Sequence, residues 1–362
     1  MDTPLLVVTL ILVVFGLIMM FSASFANAWY MFGDSYHYIK KQALFAVVGI
    51  VAMLVLSRIN YHVYHKFAWL LYGASLLLLV VTLFMPPLNN SRRWIIIGGF
   101  TLQPSEIAKF AIILLFAHIG SVKPEKMKEF KYGFLQPLIL IGLVAIIMIK
   151  QPHLSGTILI GLVGMVLMFI SGTKLRWFGL SAVIIIPAGA AYVLLSKKVD
   201  YALSRINMWI DPFQDPTDKG HQIIQSLLAI GSGGLMGLGL GNSRQKHLYV
   251  PEPQNDFIFS IICEELGYIG ALFVIILFLV FIFRGFAIAM NAHDKFGALL
   301  AIGITTQIGL QAFLNIAVVS GTIPNTGISL PFFSQGGTSL AMLLAEVGVL
   351  LSVSRYSAIK KL

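Results

Sequence analysis

Residues Asp256–Phe283 read DFIFSIICEELGYIGALFVIILFLVFIF, and beyond Glu265 the stretch carries no charge. A run this long and apolar spans the hydrocarbon core of a bilayer, which needs about 20 residues of helix. Asp256 stands at its mouth, with Glu264 and Glu265 inside it. An ionised side chain at the centre of a membrane costs about 2.5 to 3.5 kcal/mol, so each of these carboxylates requires a reason.

The rest of the chain obeys the same solvent. Of its 362 residues 58% are hydrophobic and 11% charged, against about 25% charged in a soluble globular domain. The sequence therefore predicts an all-α polytopic membrane protein, with residues 1–362 forming a single integral membrane domain. Because charges are excluded from spans, the gaps between them locate ten: Pro4 to Phe25, Gln42 to Leu56, Phe67 to Met85, Glu106 to Ile119, Tyr132 to Ile149, Ser155 to Ser171, Leu175 to Leu195, Asp256 to Phe283, Phe296 to Val318, and Ser339 to Ser354. The first has no small-residue cleavage site behind a short apolar region, so it reads as a retained helix.

Basic residues in the short loops set orientation. Arg58, Lys66, Lys123, Lys126, Lys128, Lys131 and Lys174 collect on one side with the basic C-terminus, whereas Lys40, Lys41, Arg92, Arg93 and Lys150 fall on the other. The positive-inside rule makes the first side cytoplasmic and places both termini there. The net charge of +10 is then largely a topological signal with attraction to anionic lipid, and calls for no nucleic acid.

The outer face is uneven. Residues 196–255 form one long loop between the seventh and eighth spans, and loops of that length are commonly functional. It holds an apolar run, QIIQSLLAIG (Gln222–Gly231), too short to cross a bilayer and suited to a re-entrant or interfacial helix. A glycine ladder, GSGGLMGLGLG, follows and lets the backbone turn sharply. The ladder is no dinucleotide fingerprint, since that requires a βαβ unit. No phosphate-binding GxxxxGK[ST] loop and no HExxH occur, so nucleotide hydrolysis and zinc chemistry find no support. Cys263 is the single cysteine, which excludes an internal disulfide.

Two polar constellations remain. Asp256 reads either as a first-turn cap of the eighth helix or as a working carboxylate. Glu264 lies about 12 Å deeper and about 80° around the helix, too far for a close acid/base dyad; Glu264 and Glu265 fit structural roles with donors on neighbouring helices. The second constellation is SRRWIIIGGFTLQPSEIAKF (Ser91–Phe110). Here Pro104 opens a helix after Gln103, and Glu106 and Lys109 are three apart, on one face and able to pair. Arg93 beside Trp94 reads as an interfacial anchor or as a guanidinium aimed at a phosphate.

These two stretches, with GHQIIQSLLAIGSGGLMGLGLGNSRQKHLYVPEPQNDFIFSIICEELGYIG (Gly220–Gly270) and SGTIPNTGISLPFFSQGGTS (Ser320–Ser339), closely resemble the SEDS family of shape, elongation, division and sporulation proteins. The resemblance spans essentially the whole chain, and within the family it is nearest the elongation branch. It implies a peptidoglycan glycosyltransferase that polymerises lipid II on the outer face of the bacterial cytoplasmic membrane, beside a class B penicillin-binding protein. The family's essential aspartate maps onto Asp256, and Arg93, Gln103, Glu106, Lys109, Gln225 and Glu265 also match. Asn255 and Gln335 depart from residues common in the family, a threonine and a tyrosine.

The chemistry so implied makes Asp256 a general base for the acceptor hydroxyl, attacking an anomeric carbon with inversion and release of a polyprenyl pyrophosphate. Arg93, Lys109 and Lys246 are the cations for that leaving group. A divalent cation, Mg or Mn, fits family behaviour; a nucleotide does not. Two other functions are open to the residues alone. A lipid II flippase accords with intramembrane Glu264, Glu265 and Glu346, and a non-catalytic scaffold for the penicillin-binding partner accords with the large loop.

Overall fold

The computed structural model describes residues 1–87, 91–97, 100–180, 183, 187, 207–216, 220–246 and 252–357. Among these, nine helices are long and apolar enough to cross a membrane. In chain order the helices are α1 (Thr3–Phe32), α2 (His37–Leu56), α3 (His62–Thr82), α4 (Pro104–Val122), α5 (Gln136–Lys150), α6 (Leu154–Ser171), the short α7 (His221–Ser232), α8 (Ile258–Met290), α9 (Lys295–Val319) and α10 (Gly337–Arg355). The seventh expected span, Leu175 to Leu195, lies mostly outside the described residues. The protein is a multi-pass α-helical membrane protein.

Charge gaps found the helices but not their ends. Helix α1 runs seven residues past the expected Phe25, to Phe32, and stops where Gly33 takes a left-handed conformation, φ 70°, and donates its N–H to the Trp29 carbonyl. Its start is fixed by Asp2, whose carboxylate accepts from the Leu5 amide. Helix α8 continues past Phe283 to Met290, and Arg284 within it pairs with Asp2, which makes a charge tolerable there. A small antiparallel hairpin, β1 (Ile95–Ile97) with β2 (Phe100–Leu102), precedes α4 and was not legible as strand. Helices α4, α9 and α10 form the interior, two thirds of each central window being buried (67%), while α2 and α3 are far more exposed (22% and 28%).

The loop before α8 is built around a broken helix. At Gly267 the backbone leaves helical geometry (φ 67°, ψ −165°), which frees carbonyls and amides on either side. Within a membrane those groups must find protein partners. The turn that follows α7 supplies them: the Leu238 and Gly239 amides donate to the Glu264 and Glu265 carbonyls, both at 2.9 Å. In return the Tyr268 and Ile269 amides donate to the Gly234 and Leu235 carbonyls at 2.9 and 3.3 Å. Gly237, at φ 77°, abuts the Glu265 backbone so closely that a Cβ there would overlap it. The expected helix over Gln222–Gly231 is present as α7, and the glycine ladder is the piece that fills the break in α8.

Candidate functional site

A cavity of about 680 Å³ opens at one end of the bundle. Its walls come from the start of α2, the hairpin and the first turns of α4, the α5–α6 connection, the residues before α8, and the segment from Gly327 into α10. Arg93, Gln103, Glu106, Lys109 and Asp256 all line it.

Helix α4 starts at Pro104 after an extended Gln103, so Glu106 and Lys109 occupy its first two turns on one face. Their ion pair measures 2.8 Å with both side chains under a tenth exposed. Each partner has a second tie: Ser339 donates to Glu106 at 2.9 Å, and Lys109 donates to the side-chain Oε1 of Gln311 at 3.1 Å. A buried pair in low dielectric is tolerable when its remaining hydrogen-bonding positions are filled in this way.

Asp256 lies just before α8, but that helix takes Phe257 as its N-cap residue and receives no side-chain cap hydrogen bond. The capping alternative therefore falls. Its backbone carbonyl is held by Asn315, whose amide donates to it at 2.7 Å and to the Ile328 carbonyl at 2.6 Å. One helical turn away, Gln311 donates to the Ser329 carbonyl at 3.1 Å. These two amides of α9 clamp the Gly327–Ser329 segment against Asp256. Gly327, at φ 67°, comes so near that a Cβ would stand 3.3 Å from Asp256 Oδ2. Among the described residues no donor satisfies the Asp256 carboxylate, which leaves its oxygens available to a ligand. Burial raises its pKa from 3.8 to about 6, with the Arg93 charge opposing and Glu252 reinforcing the rise.

Arg93 is fixed by donating to the carbonyls of Gln151, at 3.4 Å, and Pro152. Next along, His153 is buried in the same cavity. Burial, aided by the Arg93 and Lys109 charges, depresses its pKa to about 3, so it is neutral at physiological pH.

Other residues singled out from the sequence lie elsewhere. Gln225 sits on α7, its amide 3.5 Å from His221, and is not in the cavity wall. Lys246 is also absent from that wall: it is 4% exposed, 2.9 Å from Glu265, and donates to the Gly241 carbonyl at 2.5 Å. As a cation for a leaving group it is misplaced, because the buried Glu265 takes its charge. Glu265 also accepts from Ser22 at 2.7 Å, and Glu264 accepts from the Ser243 hydroxyl and the Arg244 amide, the latter at 3.0 Å. Both glutamates thus hold the loop onto the broken α8. Glu346 is buried and accepts from Gln307 at 2.7 Å.

Sequence reading missed Gln311, Asn315, Ser339 and His153. A signal existed for the first two. Gln307, Gln311 and Asn315 repeat every four residues in a helix that carries no charge after Lys295, which puts three amides on one stripe.

The cavity's donor set does not fit a resident divalent ion. No group of three or more His, Cys, Asp or Glu gathers among the described residues, and Glu106 is already engaged by Lys109 and Ser339.

The family model described as cell cycle protein, covering FtsW, RodA and SpoVE, matches residues 3–359. Stage V sporulation protein E of Bacillus subtilis is 43% identical over 98% of the chain and 97% of its own length. A probable peptidoglycan glycosyltransferase FtsW from Geobacter is 40% identical, covering 98% and 96%. Among solved structures, a chain from a peptidoglycan synthase complex aligns with a TM-score of 0.80 at 26% identity, over 98% and 97% of the two chains. The rod shape determining protein RodA of Thermus thermophilus aligns with a TM-score of 0.71 at 26% identity, over 99% and 98%.

Proposed function

Because the chain belongs to the FtsW/RodA/SpoVE family of cell cycle proteins, the SEDS family, we propose that it is a peptidoglycan glycosyltransferase that polymerises lipid II. The observation that carries this reading is one cavity in which Asp256, a carboxylate with no donor among the described residues, faces the charge of Arg93.

In the reaction, Asp256 takes the proton of the acceptor sugar hydroxyl as that oxygen forms a bond to the donor's anomeric carbon. The bond from that carbon to the pyrophosphate breaks with inversion, and the electron pair leaves on the polyprenyl pyrophosphate. Donors aimed at the developing charge lower the barrier most in a site that excludes water. Arg93, which donates to the Gln151 and Pro152 carbonyls, and Lys109, which is paired with Glu106, are the cations of the cavity that take this part. A base with pKa near 6 is ionised at working pH while still basic enough to accept a proton. No step is assigned to a metal ion.

The cavity faces outward and both termini lie in the cytoplasm, an orientation supported by the basic residues at the opposite end of the bundle. A class B penicillin-binding protein crosslinks the strands that this chain makes. The elongation role read from the sequence is joined by a septal or spore-wall role, which the 40 and 43% identities to FtsW and stage V proteins favour. Cell shape on depletion separates these: round cells indicate elongation, filaments division.

The biochemical test is polymerisation of purified lipid II in liposomes, with and without the partner, comparing wild type with Asp256→Ala. Glycan strands from wild type and none from the variant support the proposal. Lipid II that crosses the bilayer without strand formation replaces it with the flippase reading. An arm with chelator reads any dependence on a cation that accompanies the pyrophosphate.

A further inference from the structure

Helix α4 carries Glu106 at the cavity and ends at Val122, about 24 Å further along its axis at 1.5 Å per residue. At that far end lies a second hollow of about 170 Å³. Its walls include Trp69, Val122, Met127 and Tyr132, with Lys123 and Lys126 at the same place.

The hollow is constructed by local backbone features. A 3-10 turn, Pro124–Lys128, folds onto a π-helical turn, Phe130–Leu135, that leads into α5. Gly133 makes this possible, because a Cβ there would overlap the Met127 carbonyl. Thr173 fastens the turn by donating to the Gly133 carbonyl at 2.8 Å. A π turn is rare and occurs most often where a helix serves a function. It gives Tyr132 its place in the wall, 4.9 Å from the Lys126 ammonium.

Charge and hydrophobicity at this spot point to a single kind of occupant. Lys123 and Lys126 have no carboxylate partner among the described ion pairs; Lys128 and Lys131 follow, offset only by Glu125 and Glu129. Trp69 and Val122 are 48% and 49% exposed. From the hollow an apolar stripe continues from Leu135, at the end of the π-helical turn, along α5, where Ile139, Leu143 and Ile146 are exposed at spacings of one helical turn. A soluble anion would use the lysines and leave the stripe unmatched. A neutral lipid would use the stripe and leave the lysines unmatched. Basic pockets between membrane helices hold anionic headgroups, and Trp and Tyr favour the headgroup level.

We propose that the groove between α3, α4 and the α4–α5 connection binds an anionic phospholipid, with Lys123 and Lys126 on its phosphate and its acyl chains along α5. The site stands apart from the cavity and does not depend on the reaction assigned to it.

The test is native mass spectrometry of the full chain in uncharged detergent, offered equal phosphatidylglycerol and phosphatidylcholine. One phosphatidylglycerol should be retained per chain with a preference of about 25-fold, since each lysine near an anionic headgroup is worth about fivefold. Lys123→Ala/Lys126→Ala should abolish the preference, and Lys123→Arg/Lys126→Arg should keep it. Arg58→Ala/Arg355→Ala, which removes two charges at the same end of the bundle but away from the groove, should also keep it. Equal retention of the two lipids by wild type would overturn the proposal. So would an equal loss in the arginine control, or displacement of the lipid by glycerol phosphate alone, which would mark a soluble-anion site.

Discussion

Replacing Asp256 with asparagine keeps the shape of the side chain and removes its ability to take a proton. A positioned general base contributes about 10²- to 10⁴-fold, which is about 2.7 to 5.4 kcal/mol of barrier, so strand synthesis by Asp256→Asn should fall by that factor. The structure also sets the pH at which wild type fails. With its pKa raised to about 6, the carboxylate is almost fully ionised at pH 7.5, and only about a tenth is ionised at pH 5. The working form is the deprotonated one, so activity falls as pH falls, with its midpoint near 6. Arg93 opposes the rise caused by burial, so Arg93→Met should move that midpoint upward as well as lower the plateau. Because ionising a desolvated carboxylate opposes folding, stability linked to this group is fully present below about 3.8 and is lost as pH rises through about 6. Asp256→Asn should therefore unfold at the same or a higher temperature at pH 7.5, which separates lost chemistry from lost fold. The assay is lipid II polymerisation from pH 5 to 8, alongside thermal unfolding in the same detergent. An acid midpoint near 4 that Arg93→Met leaves in place would refute the assignment of the limb to Asp256, and substantial activity in a folded Asp256→Asn would refute the base itself.

Four other outcomes follow from the packing. Glu106→Gln or Lys109→Met alone leaves a buried charge without its partner and should cost about 3 to 5 kcal/mol, whereas the double variant should cost clearly less than the sum, measured by thermal unfolding. Asn315→Leu strands the Asp256 and Ile328 carbonyls; at about 1 to 3 kcal/mol per unsatisfied buried group it should destabilise the fold and lower polymerisation, more through kcat than KM. Gly237→Ala forces a side chain into left-handed backbone against Glu265, with about 1 to 2 kcal/mol from conformation alone and more from the clash, so folded yield should drop. Lys246→Met/Glu265→Gln removes the buried pair as a unit and should keep the KM for lipid II; a marked rise in KM in the folded double variant would put Lys246 back in contact with substrate.

The sequence by itself determined the solvent, the helical class and much of the cavity. Membrane insertion is a local requirement, since about 20 residues of low charge suffice to define a span, and Asp256–Phe283 declares itself without reference to any other part of the chain. The Glu106–Lys109 pair was legible for the same reason: a separation of three positions on one helix fixes its geometry. What the sequence left open involves partners remote along the chain. Ser22 meets Glu265 across 243 positions, and Ser339 meets Glu106 across 233. No periodicity encodes such contacts, so Lys246 read as a cation for substrate when it is the counter-charge of a buried glutamate. The glycine ladder likewise announced flexible backbone, but that it fills a break at Gly267 depends on hydrogen bonds exchanged between two segments. Tertiary structure alone decided which carboxylate has no donor among the described residues. Glu264 is bonded by the loop and Glu265 by the loop and Ser22, while among the described residues Asp256 is held through its backbone, and that difference turns one of three acidic residues on the same stretch into the group available for chemistry.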